Sequence, residues 1–241
     1  MPTKIEVKPF PATITGNFLL SCMHFLSHYV IDRHRQQPYF SLGAMMPDLM
    51  PGFTRHYNHN LRHRQGNAYP EVQSHIQEGV LRHYHADQYF HQHPAFHQLV
   101  RQLLENWLAL GVSREKYRLS FLAHIGVELA LDVELLKADP SLAGDFYAHI
   151  QQVDEEIVQG YFLASGMLTA APDFFRRFRI FSEVQYLHRL QTYAGAVEGL
   201  CRISERVTRT SVEAGDAEKL QQGMQQISGN VRYSSQQLLA I

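Results

Sequence analysis

The sequence predicts an all-α protein, and three observations lead there. Apolar residues recur at helical spacing along most of the 241 residues, and no period-2 alternation is long enough for a sheet. Prolines and glycines cut the chain into about seven helix-length pieces. Three of those pieces carry a polar stripe at i, i+4 and i+8: His24-His28-Asp32, His83-Asp87-His91 and His124-Glu128-Asp132. At 3.6 residues per turn such a triplet drifts only about 80° and stays on one helix face.

The elements follow in order. Residues 1–13 hold Pro2, Pro9 and Pro11 and read as an irregular arm. A helix is expected over 16–35, and Pro38 and Gly43 punctuate what comes next. The run Gly43-Ala44-Met45-Met46-Pro47-Asp48 is expected to place Asp48 in a tight turn. Residues 51–68 read as a long loop holding His56, His59 and His63 among Arg55, Arg62 and Arg64. A second long helix is expected over 70–92, since Pro70 suits a first helical turn. Pro94 opens the next, 95–110, and Gly111 closes it. Ser113 is a natural N-cap for a helix over 114–138, which Asp139-Pro140 stops. Further helices are expected over 142–165, 174–207 and 217–227, with a loosely packed Gln- and Ser-rich tail. The whole reads as one domain, 1–241, with a core over 16–165 and an added C-terminal helical portion over 170–241.

Composition narrows the function classes. Lys plus Arg is 22 and Asp plus Glu is 23, so nothing favours nucleic acid or an anionic membrane as partner. No segment reaches the ~18 apolar residues of a membrane span, and no signal peptide is read. Two cysteines, Cys22 and Cys201, make no disulfide framework, which fits a reducing cytoplasm. There is no Gly-x-Ser-x-Gly elbow and no phosphate-binding Gly-x4-Gly-Lys loop. Histidine is the unusual count, at 15, and most of these lie between His24 and His97.

Imidazole and carboxylate are ligands for divalent transition metals. The run from Phe121 to Val133 is apolar on nearly every side of its stripe, as in a buried helix, and holds no Lys or Arg. Buried carboxylates require partners or a metal. His124 and Glu128 are therefore strong candidates, while Asp132 lies nearer the helix end. His83, Asp87 and His91 share a face that His75 and Gly79 extend backward. Gly79 costs about 1 kcal/mol against alanine in mid-helix, so it is expected at a close helix contact. His28 is preferred over His24, and Asp32 is expected to pair locally with its arginine neighbours. His85, His93 and His97 fall off the stripe and read as surface or N-cap residues.

These residues together resemble the acyl carrier protein phosphodiesterase family, whose members are similar to the HD-domain metal-dependent phosphohydrolases. His24-Phe25-Leu26-Ser27-His28 is similar to that family's Asn-Phe-Leu-Ala-His, and Leu42 to Asp48 to its Gly-Asn-Leu-Leu-Ala-Asp turn. Gly79 to Asp87 fits its Gly-x3-His-x3-Asp pattern, matching His83 and Asp87. His124-x3-Glu128 stands where the family tends to carry Asp-x3-Asp. Tyr84 and His85 stand where arginines are usual, no contiguous His-Asp pair occurs, and the chain runs on past about residue 170. The resemblance spans residues 16–165. It implies an HD-domain-like bundle and removal of phosphopantetheine from acyl carrier protein.

The expectation is thus a metal-dependent phosphodiesterase-like hydrolase acting on a small-molecule or acyl-carrier-protein phosphodiester. Its metal ion, Mn, Zn, Fe, Ni or Mg, is expected on His28, Asp48, His83, Asp87, His124 and Glu128. His24 and His91 stand behind these or replace them. Glu128 or Asp132 is expected to act as general base. Arg62, Arg64 and Arg82 are the candidates for holding phosphate. His83, Asp87, His124 and Glu128 are expected to converge, with His28 and Asp48 close by. Two other readings are a zinc-dependent phospholipase-C-like hydrolase, and a non-catalytic helical protein that binds a metal or ligand.

Overall fold

The computed structural model describes residues 25–50 and 70–240, and all regular structure among them is helical. Among the described residues there are eleven α-helices where about seven were expected: α1 (Phe25–Asp32), α2 (Pro38–Leu49), α3 (Glu71–Gln92), α4 (Pro94–Ala109), α5 (Leu119–Ala138), α6 (Leu142–Ile150), α7 (Glu155–Ala164), α8 (Ala171–Val184), α9 (Tyr193–Thr208), α10 (Ala214–Gln226) and α11 (Ser228–Leu238). The higher count has local causes. The helix expected over 142–165 breaks before Asp154, whose side chain accepts from Glu156 N–H and starts α7. The one expected over 174–207 breaks at Gln185, where φ is +48°. A 3-10 turn, Tyr186–Gln191, follows, and Thr192 caps α9.

Two other expectations change. Residues 43–48 form no tight turn but the last turns of α2, with Pro47 inside the helix and Asp48 buried. The tail does not pack loosely. Helix α11 buries Val231 and Leu238, and Arg232 donates to Glu134 of α5 at 2.7 Å and 2.9 Å. The expected helix start at Ser113 shifts to Leu119; the Ser113 hydroxyl caps only a turn, accepting from Lys116 N–H. No helix among the described residues is long and apolar enough to cross a membrane. The arm 1–13, the loop 51–68, Cys22, His24, Arg62 and Arg64 lie outside the described residues.

Helix α5 is the axis of the fold, as its apolar circumference requires. It touches α1, α4, α6, α9, α10 and α11 and the 3-10 turn, and its buried residues run almost unbroken from Leu122 to Leu136. Trp107 of α4 seals one side, with no exposed surface and its indole N–H on Leu220 O at 2.9 Å. A second close pair, α2 with α3, holds the polar stripe in place. A Cβ on Gly43 would meet the backbone of Ile76, and one on Gly79 the backbone carbonyl of Phe40. Both positions admit no side chain, so the two backbones approach directly. That approach carries His83 of α3 to Asp48 of α2.

Candidate metal centres

The stripe of α3 and that of α5 run in opposite senses along one polar seam. His83, at the start of the α3 stripe, meets α1 and α2; His91, at its end, meets His124 and Glu128 at the start of the α5 stripe. Asp132, one turn beyond Glu128, returns to α1, where Ser27 Oγ donates to its Oδ1 at 3.2 Å. The seam contains two groups of potential ligands, each with two histidines and one carboxylate: His28, Asp48 and His83, and then His91, His124 and Glu128. Within each, one donor atom per residue lies within 4.8 Å of the others.

This corrects the expected convergence of His83, Asp87, His124 and Glu128. His83 falls in one group and His124 with Glu128 in the other, and eight residues of helix, about 12 Å, likewise keep His83 and His91 apart. Helix α3 divides its residues between the groups. Asp87 goes with His91, its Oδ1 at 3.3 Å from His91 Nδ1. His91, read from sequence as supporting or alternative, is a central member.

In the first group all three residues are buried. His83 Nδ1 lies 2.8 Å from the carbonyl oxygen of Ala44. A carbonyl only accepts, so Nδ1 carries the proton, and in the neutral ring Nε2 keeps its lone pair. Nε2 faces Asp48 Oδ1 at 3.8 Å. That is too long for a hydrogen bond. It matches two ligands that each reach about 2.0–2.2 Å to a shared ion. An outer carbonyl fixing the tautomer of a ligating histidine is the usual arrangement around bound metal. The His28 ring stacks on that of His83 at 4.3 Å between centroids.

Tyr186, in the 3-10 turn after α8, was not expected. Its phenol is buried, and its hydroxyl has no hydrogen-bond partner among the described residues. Burial first, then the charges of Tyr147, Asp132 and Asp48, hold its pKa well above the ordinary value. The phenol therefore sits in the field of both carboxylates at this end of the seam. No pattern along the chain points to it, because Tyr186 lies at a helix break and on no stripe.

The second group is closed on itself. Glu128 is fully buried, and its Oε1 lies 2.9 Å from His91 Nε2 and 3.1 Å from His124 Nε2. The two imidazole Nε2 atoms are 3.2 Å apart. His91 has a carboxylate at each ring nitrogen, so both nitrogens donate and the ring is an imidazolium. Burial works against that charge, but the hydrogen bonds to Asp87 and Glu128 outweigh it and push the pKa up to about 10.

The remaining site candidates have other partners. Arg82 Nε donates to Asp32 Oδ2 at 2.6 Å, and Arg35 Nε to Asp32 Oδ1 at 3.2 Å. Arg35 makes the local pairing foreseen for Asp32, while Arg82 ties α3 to α1, and that edge of its guanidinium is not presented to a phosphate. His93 is the N-cap of α4, its Nδ1 accepting from Ala95 N–H at 3.2 Å. Asp132, expected near an exposed helix end, is fully buried. Compared with protein-family models, with curated proteins and with solved structures, the chain matches none of them.

Proposed function

We propose that this chain is a metal-dependent hydrolase acting on phosphodiester-like substrates, with its ion on His28, Asp48 and His83. The observation that carries the reading is the 3.8 Å gap between His83 Nε2 and Asp48 Oδ1, beside a tautomer fixed by Ala44. The donor set suits the borderline ions, such as zinc, iron or manganese, more than magnesium, because two of its three members are imidazoles. A bound ion would supply Lewis acidity to a phosphoryl oxygen and to the attacking water.

The chain's own groups fill the other roles. Asp132 stands at the Asp48 end of the seam and is the candidate general base. Glu128 already accepts from His91, so its part is to hold that ring. His91, held charged between Asp87 and Glu128, would keep the far end of the seam in place. The Tyr186 hydroxyl can donate to a substrate oxygen. The bundle would be a relative of the HD-domain hydrolases, as the sequence resemblance implies. The same resemblance suggests an acyl-carrier-protein or other small phosphodiester as substrate, and the cysteine usage suggests a cytoplasmic setting.

The test is hydrolysis of bis-p-nitrophenyl phosphate by protein loaded in turn with Mn, Zn, Fe, Ni and Mg. Turnover with at least one ion, stopped by chelation and absent in Asp48→Ala, is the expected result. No turnover with any of them, in protein that does take up metal, would favour a non-catalytic metal-binding protein.

A further inference from the structure

A second site lies away from the seam, among the C-terminal helices. Arg206 of α9 keeps its Nε and Nη2 buried, and neither has a hydrogen-bond partner among the described residues. These two atoms form one edge of the guanidinium, with two parallel N–H groups. That edge is the one that takes two oxygens of a phosphate or carboxylate at once. A buried, unsatisfied charge of this kind is unfavourable unless something completes it.

The surroundings are cationic. Arg177 of α8 is buried, and its Nε donates to Asp173 Oδ2 at 2.6 Å. Asp173 also accepts from Arg176 at 2.6 Å, so this one carboxylate already serves two arginines. Burial, and next the charge of Arg177, bring the Arg206 pKa down to about 10. Among the described residues, the neighbouring charge felt at Arg206 is that of Arg177, and it repels.

We propose that the Nε/Nη2 edge of Arg206, beside Arg177, is a binding site for a tetrahedral oxyanion of the phosphate class, free or as the phosphoryl group of a small phosphomonoester. The anion would accept both N–H groups of that edge and offset the repulsion between the two arginines. The site shares no residue with the His/carboxylate seam, so it is independent of the hydrolase reading.

The experiment is thermal unfolding of the chelator-treated full chain against inorganic phosphate, at constant ionic strength held with sodium chloride. A parallel series uses phenyl phosphate. Wild type should show a saturable rise in Tm with phosphate, and an equal or larger rise with phenyl phosphate if the site takes monoesters. Arg206→Met removes the charge but keeps the length of the side chain. It should unfold at or above the wild-type temperature without phosphate and lose the phosphate-dependent rise. Arg206→Lys keeps the charge but not the two-pronged edge, and should weaken the response about tenfold or more. A wild-type Tm that phosphate does not move, whatever the variants do, would overturn the proposal. So would an equal phosphate response in wild type and Arg206→Met, because the anion would then bind elsewhere.

Discussion

The two His/carboxylate groups draw on the same two residue types and share helix α3, yet they differ in spacing. Around His83 the donors stand 3.8 Å from Asp48 and hydrogen-bond outward, to Ala44. Around His91 they stand 2.9 to 3.2 Å apart and hydrogen-bond to one another. The first spacing leaves room for an ion between lone pairs. In the second, the proton that His91 shares with Glu128 stands where an ion would have to bind. Ligand type alone therefore does not make a site; the outer partner of each ring decides whether its inner nitrogen is a donor or a lone pair.

The largest effect is expected from His83→Ala. It should lower metal affinity at the first group by more than the about 10–100-fold that loss of an outer partner costs. Calorimetric titration of chelated protein with zinc checks this, and wild-type affinity in the variant would break the distinction between the groups. Gly79→Ala comes next. Its methyl would meet the Phe40 carbonyl, so α2 and α3 must separate, and stability should fall by about 1–3 kcal/mol. Metal uptake should weaken with it, because the same approach places His83 opposite Asp48. A variant as stable as wild type and fully metal-loaded would show that the helix contact does not set the site.

Glu128→Gln sharpens the other side of the comparison. In chelated protein it should bring the His91 pKa down from about 10 toward the ordinary imidazole range, as read by NMR titration of the ring protons. The sign follows from linkage. A folded-state pKa above the unfolded value gives stability that is complete below about pH 6.5 and is lost as pH rises through about 10. In Glu128→Gln that contribution should be smaller and its loss complete at lower pH, and zinc binding at the first group should be unchanged. An unmoved His91 titration would mean that Asp87 alone holds the charge. The smallest effect is expected from His93→Ala. It removes only the cap of α4 and should cost less than about 1 kcal/mol in denaturant unfolding, with metal uptake untouched. A larger loss would mean that His93 does more than cap.

Much of the fold was legible in the chain because helix signals are local. Pro70, Pro94, Gly111 and Asp139 marked real boundaries, and the apolar circumference of residues 121–133 announced the central helix. Gly79 was foreseen at a close contact, and Gly43 is its counterpart. The errors were also local. Asp154 and Gln185 break helices through a cap and a left-handed backbone, and hydrophobic periodicity runs straight through both. Asp48 was expected in a turn because Pro47 precedes it, but Pro47 is accommodated near the end of α2.

For the site, the sequence by itself determined which faces carry histidine and carboxylate, since spacing of four residues fixes a helix face. It could not determine which members of different stripes meet. That depends on the antiparallel sense of the α3 and α5 stripes, on the Gly43–Gly79 approach, and on the turn that brings Tyr186 toward Asp48 and Asp132. Only the tertiary structure decided that the expected ligands fall into two groups, that His91 lies between two carboxylates, and that His83 sets Nδ1 against a carbonyl and Nε2 toward Asp48. The physical reason is that a helix face follows from neighbours along the chain, whereas a ring's proton follows from whichever carbonyl or carboxylate the packing places at its far nitrogen.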